Sequence, residues 1–239
     1  MDSVKLLALD TSSEGCSAAL WLDGQITERF EVAPRGHTRL LMPMVRELLA
    51  EQGLSPSDLD ALAFARGPGS FTGLRIATGV IQGLAWGLDL PVVPVSSLAA
   101  VALNAIEQQS LGEGDGIAVA FDARMGEVYW GTFVCRDGLP EALGNERVCP
   151  PEAVALPESG AGVSGHWFGA GQGWKYRDAM PQAVTEHISG MDDSLVPRAA
   201  QVARLAERGF HNGEAVSADQ AQPVYVRDEV TWKKLPGRE

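Results

Sequence analysis

Apolar and polar positions alternate along the first hundred residues in a way that changes period several times. Residues 4–12, VKLLALDTS, are an apolar run entering a polar turn and predict a buried strand. The stretches 16–25 and 26–33 predict two more strands, with Asp23 and Gly24 as the hairpin turn between them. Over 37–53 the period becomes helical: Leu41, Met44, Val45, Leu48 and Leu49 share one face and Gly53 stops the run. Pro43 lies inside it and predicts a kink or a short break. A brief helical turn at 55–58 is expected from Ser55 as N-cap and Pro56 at the first helical position. A strand at 60–67, a glycine-rich helix over 70–88, a strand at 91–96 and a helix at 98–109 complete the pattern. The order β-β-β-α-β-α-β-α implies a mixed sheet, a meander extended by strands whose crossovers are helices.

Beyond 110 the pattern weakens. LGEGDG, at 111–116, reads as a boundary, dividing the chain into 1–110 and 111–239. A hairpin over 117–138, turning near Arg124 to Gly126, begins what reads as a second, similar module. Residues 139–165 are expected to be irregular, 166–174 a strand entering a glycine turn, and 197–209 a helix. The tail from 222 is expected to be extended and to pack back through Tyr225, Val226 and Trp232.

The glycine-rich stretch ARGPGSFTGLRIATGVIQGLAWG, at 65–87, invites a phosphate-loop reading and fails it. Five residues separate Gly67 from Gly73 and no lysine follows, and the dinucleotide spacing misses because position 72 is Thr. Pro68 also removes a backbone N–H that an anion cradle would use, although the helix start near Ser70 retains others. Gly79, Gly83 and Gly87 recur every four residues and so share one row of the helix. At about 1 kcal/mol each relative to alanine, that row costs about 3 kcal/mol and needs an offsetting gain. Close backbone approach supplies one, either against the chain's own sheet and first helix or against another molecule.

Composition narrows the class. The formal net charge is −12 over 239 residues, and the one dense basic spot is Lys233, Lys234 and Arg238, so an autonomous grip on nucleic acid is not expected. Three cysteines without C-x-x-C spacing suggest neither a disulfide framework nor a zinc site. No apolar run is long enough for a membrane span, and the N-terminus reads as a strand instead of a signal peptide, so cytoplasm is the expected location.

The candidate chemistry is sparse. Asp10, with Thr11 beside it, ends the first strand, and Asp122 ends a later one; acids at two such strand ends could hold a metal-bound nucleotide, or simply cap turns. FGAGQGW, at 168–174, could approach a ligand backbone. The four histidines have no metal-ligand spacing, and Ser12, Ser13 and Ser70 lack a nucleophile elbow.

Taken together, LLALDTS (6–12), RGHTRLLMP (35–43), ARGPGSFTGLRIA (65–77), DARMGEVY (122–129) and YVRDEVTWKKLPG (225–237) closely resemble the TsaB family, also called YeaZ. The resemblance runs nearly end to end. The second-half motifs separate it from the sister family TsaD, which GPGSFTGLR alone would leave in play. It implies an actin/Hsp70/sugar-kinase-like, ribonuclease-H-like α/β fold of two domains, the second reduced, with the last helix and tail packing back. It also implies a role in placing threonylcarbamoyl on the adenosine following the tRNA anticodon. The implied partners are TsaD and the ATPase TsaE, with TsaC-type enzymes making the adenylate that TsaD uses.

TsaD-like chains hold a metal through H-x-x-x-H on the first helix. Here His37 is followed at the partner position by Leu41, which removes that site and puts transferase activity in doubt. The resemblance therefore implies a non-catalytic scaffold that activates TsaD through helices 37–53 and 70–88. The expected contacts are Leu41, Met44, Val45, Leu48, Leu74, Gly79 and Gly83. No cofactor or metal is expected on this chain alone, ATP or ADP belonging to the complex, and tRNA is met only through the complex. Without TsaD, the chain is expected to form a homodimer through the same helices. The alternative is an independent ATPase or kinase-like enzyme built on Asp10, Thr11 and Asp122. A peptidase reading finds no nucleophile or metal set.

Overall fold

The computed structural model describes residues 4–158 and 162–226. Three strands open the chain: β1 (Leu6–Asp10), β2 (Gly15–Leu22) and β3 (Gln25–Val32). They form the expected antiparallel meander, with Asp23 and Gly24 both at positive φ in the β2–β3 turn. Helix α1 (His37–Glu51) leads to β4 (Ala61–Gly67), and α2 (Phe71–Leu88) leads to β5 (Val92–Ser96). Both added strands run parallel to β1, so the first sheet is mixed, in the order β3-β2-β1-β4-β5. β1 is buried at every position because it has neighbours on both sides and helices on both faces, whereas β3 is the edge strand and carries Glu28, Arg29 and Glu31.

α3 (Ser97–Gln109) follows, its first turn capped by the Ser96 hydroxyl, which accepts from the Ala99 N–H at 3.1 Å. The second sheet contains β6 (Gly116–Asp122), β7 (Val128–Arg136), β8 (Leu139–Ala142), β9 (Arg147–Cys149), β10 (Trp167–Ala170) and β11 (Ile188–Asp192). Its order is β11-β10-β6-β7-β8, with β9 also pairing β7. The short helix α4 (Gln182–Thr185) precedes β11, and α5 (Ala199–His211) is the last α-helix among the described residues.

Alternate residues of the first sheet point to two different cores. Leu7, Leu9, Leu62 and Phe64 meet α1 and α2 on one face. Leu6, Ala8, Ala63 and Val95 meet α5 on the other, where small side chains let the helix lie close. α3 covers the second sheet with Leu98, Val101 and Ala102 against Ile117, Val119 and Phe133, and it also touches α5. α5 is tied to the meander at its start: the Ala199 N–H donates to Ser17 Oγ, and Arg198 Nε donates to Glu28 at 3.0 Å.

Several expectations need correction. The helix passes through Pro43 without a break, the missing N–H costing one backbone bond inside an otherwise well-buried helix. The stretch 139–165 is not wholly irregular, since β8 and β9 both pair β7 there. α4 and β11 were not anticipated. The tail reaches Tyr225, whose ring lies 5.3 Å from that of Phe71; Trp232 falls outside the described residues.

Candidate functional site

The glycines of α2 divide into two groups with opposite surroundings. At the start of the helix they sit against the turn that ends β1. A Cβ at Gly69 would lie 2.3 Å from the Ser12 carbonyl oxygen, and one at Gly73 would lie 1.9 Å from that of Thr11. Only a bare backbone fits there. The contact is hydrogen-bonded as well as close: Ser70 N–H donates to the Ser12 carbonyl at 2.7 Å, and Thr11 Oγ1 donates to the Gly73 carbonyl at 2.6 Å. Ser70 then caps the helix by accepting from the Gly73 N–H.

This packing closes the end of β1. Asp10 and Thr11 are fully buried, and the Asp10 Oδ1 accepts from both the Ser12 N–H at 3.0 Å and the Ser12 hydroxyl at 2.6 Å. Burial pushes the Asp10 carboxyl up to about 6, against the smaller opposing pull of the Ser12 hydrogen bonds and of His37. His37 is itself buried, with Nε2 facing the carbonyl oxygens of Ser13 and Gly15 at 3.0 and 3.2 Å. Leu41, one turn later, is in the core. Asp122 ends β6 in the other sheet, half-buried and paired with Lys175 at 2.5 Å. Partial burial raises its carboxyl, but Lys175 and the Arg124 N–H outweigh that and hold it below the ordinary range. The three residues expected to mark a nucleotide site thus do not line one open cradle. Asp10 and Thr11 are enclosed by the start of α2, and Asp122 is engaged by its own module.

FGAGQGW has a similar packing explanation. Cβ atoms at Gly171 and Gly173 would come within 2.6 and 2.7 Å of Ala120 backbone atoms, so these glycines let the segment lie directly on β6.

Further along α2 the surroundings reverse. Among the described residues nothing lies within 4 Å of a Cβ built at Gly79, Gly83 or Gly87, and all three positions are exposed. The row therefore does not serve packing against the chain's own sheet or α1. It is a strip without side chains facing away from the described residues, and the same helix carries Phe71 and Trp86, which are 55% and 71% exposed. Arg75 lies 3.9 Å over the Phe71 ring and donates to the Tyr225 hydroxyl.

The other expected contacts are not on this surface. Leu41, Met44, Val45, Leu48 and Leu74 are all buried, Leu48 completely, and the four from α1 pack with Ile81, Phe64 and Leu20 in the chain's own core. Their helical stripe reports the inner face of α1, not an outer one. What the sequence reading missed is the outer set: Trp86 and Phe71, large apolar side chains at helix positions that the periodicity does not assign to the core.

Comparison with known proteins places these features in a lineage. A family model described as TsaD, tRNA N6-adenosine threonylcarbamoyltransferase, matches residues 30–233. The "tRNA threonylcarbamoyladenosine biosynthesis protein TsaB" of Haemophilus influenzae is 42% identical over the full length of both chains. That of Escherichia coli is also 42% identical, covering 99% of this chain and 100% of its own. The structure of YeaZ from Pseudomonas aeruginosa superposes with a TM-score of 0.86 at 48% identity, covering 93% of this chain and 99% of the other.

Proposed function

The chain belongs to the TsaB (YeaZ) family, and from that premise we propose that it is a non-catalytic, activating subunit in tRNA threonylcarbamoyladenosine biosynthesis, pairing with TsaD. The observation that carries this reading is the outward glycine strip of α2. A helix that gives up about 3 kcal/mol of propensity on a face with no described residue of its own chain against it is organised for another backbone to come close. Such strips bring helix axes nearer than side chains would allow, and dispersion over the shortened distance offsets the propensity loss.

The surroundings of the strand ends support the non-catalytic half of the proposal. His37 is occupied by two backbone carbonyls, Leu41 stands where a second metal-binding histidine would be, and Asp10 is sealed beneath α2. Nucleotide and metal chemistry is then the work of the partners, TsaD and TsaE, with tRNA held by the assembly. The acidic chain contributes shape and apolar contact to it. In the absence of TsaD, the same strip pairs two copies of this chain.

The test is nucleoside mass spectrometry of tRNA after reconstitution with TsaC, TsaD and TsaE. Wild type, Gly83→Leu and no added chain are compared. The expected result is modified adenosine with wild type, and little with either of the others while Gly83→Leu stays folded. Turnover by this chain without TsaD would overturn the proposal, as would full activity of Gly83→Leu.

A further inference from the structure

A cleft of about 460 Å³ opens at the far end of α2, beside the last glycine of the strip. Trp86, Pro91 and Val216 line it, and Val92 and Val216 exchange backbone hydrogen bonds at 2.9 and 2.8 Å. Two acidic residues, Asp89 and Asp219, line it too. Asp219 is oriented by the Ser217 hydroxyl, which donates to Oδ1 at 2.6 Å. Among the described residues neither carboxylate has an ion-pair partner.

Three independent features of this cleft favour one chemistry. The carboxylates supply negative charge. Asp89 is also the C-terminal cap of α2, in the left-handed conformation, so the negative end of the dipole of an 18-residue helix lies at the lining of this cleft. Trp86 adds a largely exposed indole, whose face attracts cations. An anion would meet repulsion from all three. A neutral apolar side chain would gain the indole, Pro91 and Val216 but would desolvate two carboxylates without compensation.

We propose that this cleft receives an arginine or lysine side chain of the docked partner, anchoring one end of the helix contact made by the glycine strip. This rests on the reading above that TsaD is that partner, and the continuity of cleft and strip along α2 supports it. A net charge of −12 on this chain gives the same preference for a basic surface opposite.

The experiment titrates TsaD into wild type, Trp86→Ala and the double variant Asp89→Asn with Asp219→Asn, by calorimetry at low and high salt. Asparagine tolerates the left-handed backbone at 89 and keeps an acceptor for Ser217 at 219, so the double variant should fold, as its unfolding midpoint will report. We expect each variant to bind about tenfold more weakly at low salt, with the deficit of the double variant shrinking at high salt. Wild-type affinity in both folded variants overturns this inference alone. Failure of wild type to bind TsaD overturns it together with the functional reading. Variants that weaken self-association but not TsaD binding reassign the cleft to a second copy of this chain and overturn the proposal as well.

Discussion

Replacing Gly79 and Gly83 by alanine should make the isolated chain more stable, and the size of the gain can be worked out in advance. Each glycine in a helix interior costs about 1 kcal/mol relative to alanine, mainly in backbone entropy. That gain is normally cut by whatever the new methyl meets. Here it meets none of the described residues within 4 Å at either position, so the full amount survives and the double variant gains about 2 kcal/mol. For a chain of this size, 1 kcal/mol moves the thermal midpoint by about 2–4 °C, giving an expected rise of about 4–8 °C. Urea unfolding is the better assay, because the slope shows whether the transition itself has changed. It should be run at several protein concentrations, the lowest chosen so that light scattering reports a monomer. A midpoint raised by the expected amount with unchanged slope supports the reasoning. No gain, or a loss, in the monomer would mean that the strip is covered within the chain, and the argument for an outward docking face would fall. The same variant should support less tRNA modification than wild type, stability rising while assembly weakens.

The opposite end of the same helix gives the opposite sign. Gly73→Ala forces a methyl to 1.9 Å from the Thr11 carbonyl oxygen and should destabilise by more than about 3 kcal/mol, read as a fall in urea midpoint; near-neutral behaviour would show the β1–α2 junction to be loose. Leu48→Ala should cost about 2–5 kcal/mol in the isolated chain, as a core truncation does; a mild stability loss with a large loss of TsaD binding would instead place Leu48 on the outside. The Asp10 carboxyl, raised from 3.8 to about 6, favours folding when protonated, so its contribution is full below about pH 3.8 and is lost as pH rises through about 6. That corresponds to about 3 kcal/mol between the two limits. Asp10→Asn should therefore flatten the fall in stability over that window, and an unchanged pH profile would mean that the carboxyl is solvated.

The elements most legible in the sequence were those whose pattern had one explanation. β1 reads as buried because five consecutive positions are closed by other residues, and α5 reads as a helix from its period alone. β11, Ile188–Asp192, escaped because a central glycine and a terminal aspartate erase the alternation that marks a strand; it is a strand because β10 pairs it. β8 carries Pro140 and lasts four residues, which is compatible with a strand only once β7 is beside it. The sequence pattern marks α1 and α2 but not which way their faces point. The apolar stripe of α1 announced burial without saying against what, and the core took all of it. The glycine row announced close approach without saying from which side, because a residue with no side chain leaves no polarity to read. Asp10 could not be told from an exposed turn-capping aspartate, since the glycines that seal it lie about 60 residues away.

The two glycine groups on α2 place one helix under two different selective filters. Random variants screened for folded protein alone would lose nearly every change at Gly69 and Gly73, while Gly79 and Gly83 would drift toward alanine and rise in the surviving pool. Screened for modified tRNA, the same library would purge the alanines that the first screen enriched. On the docking proposal, subtracting the two survival maps would outline that face residue by residue.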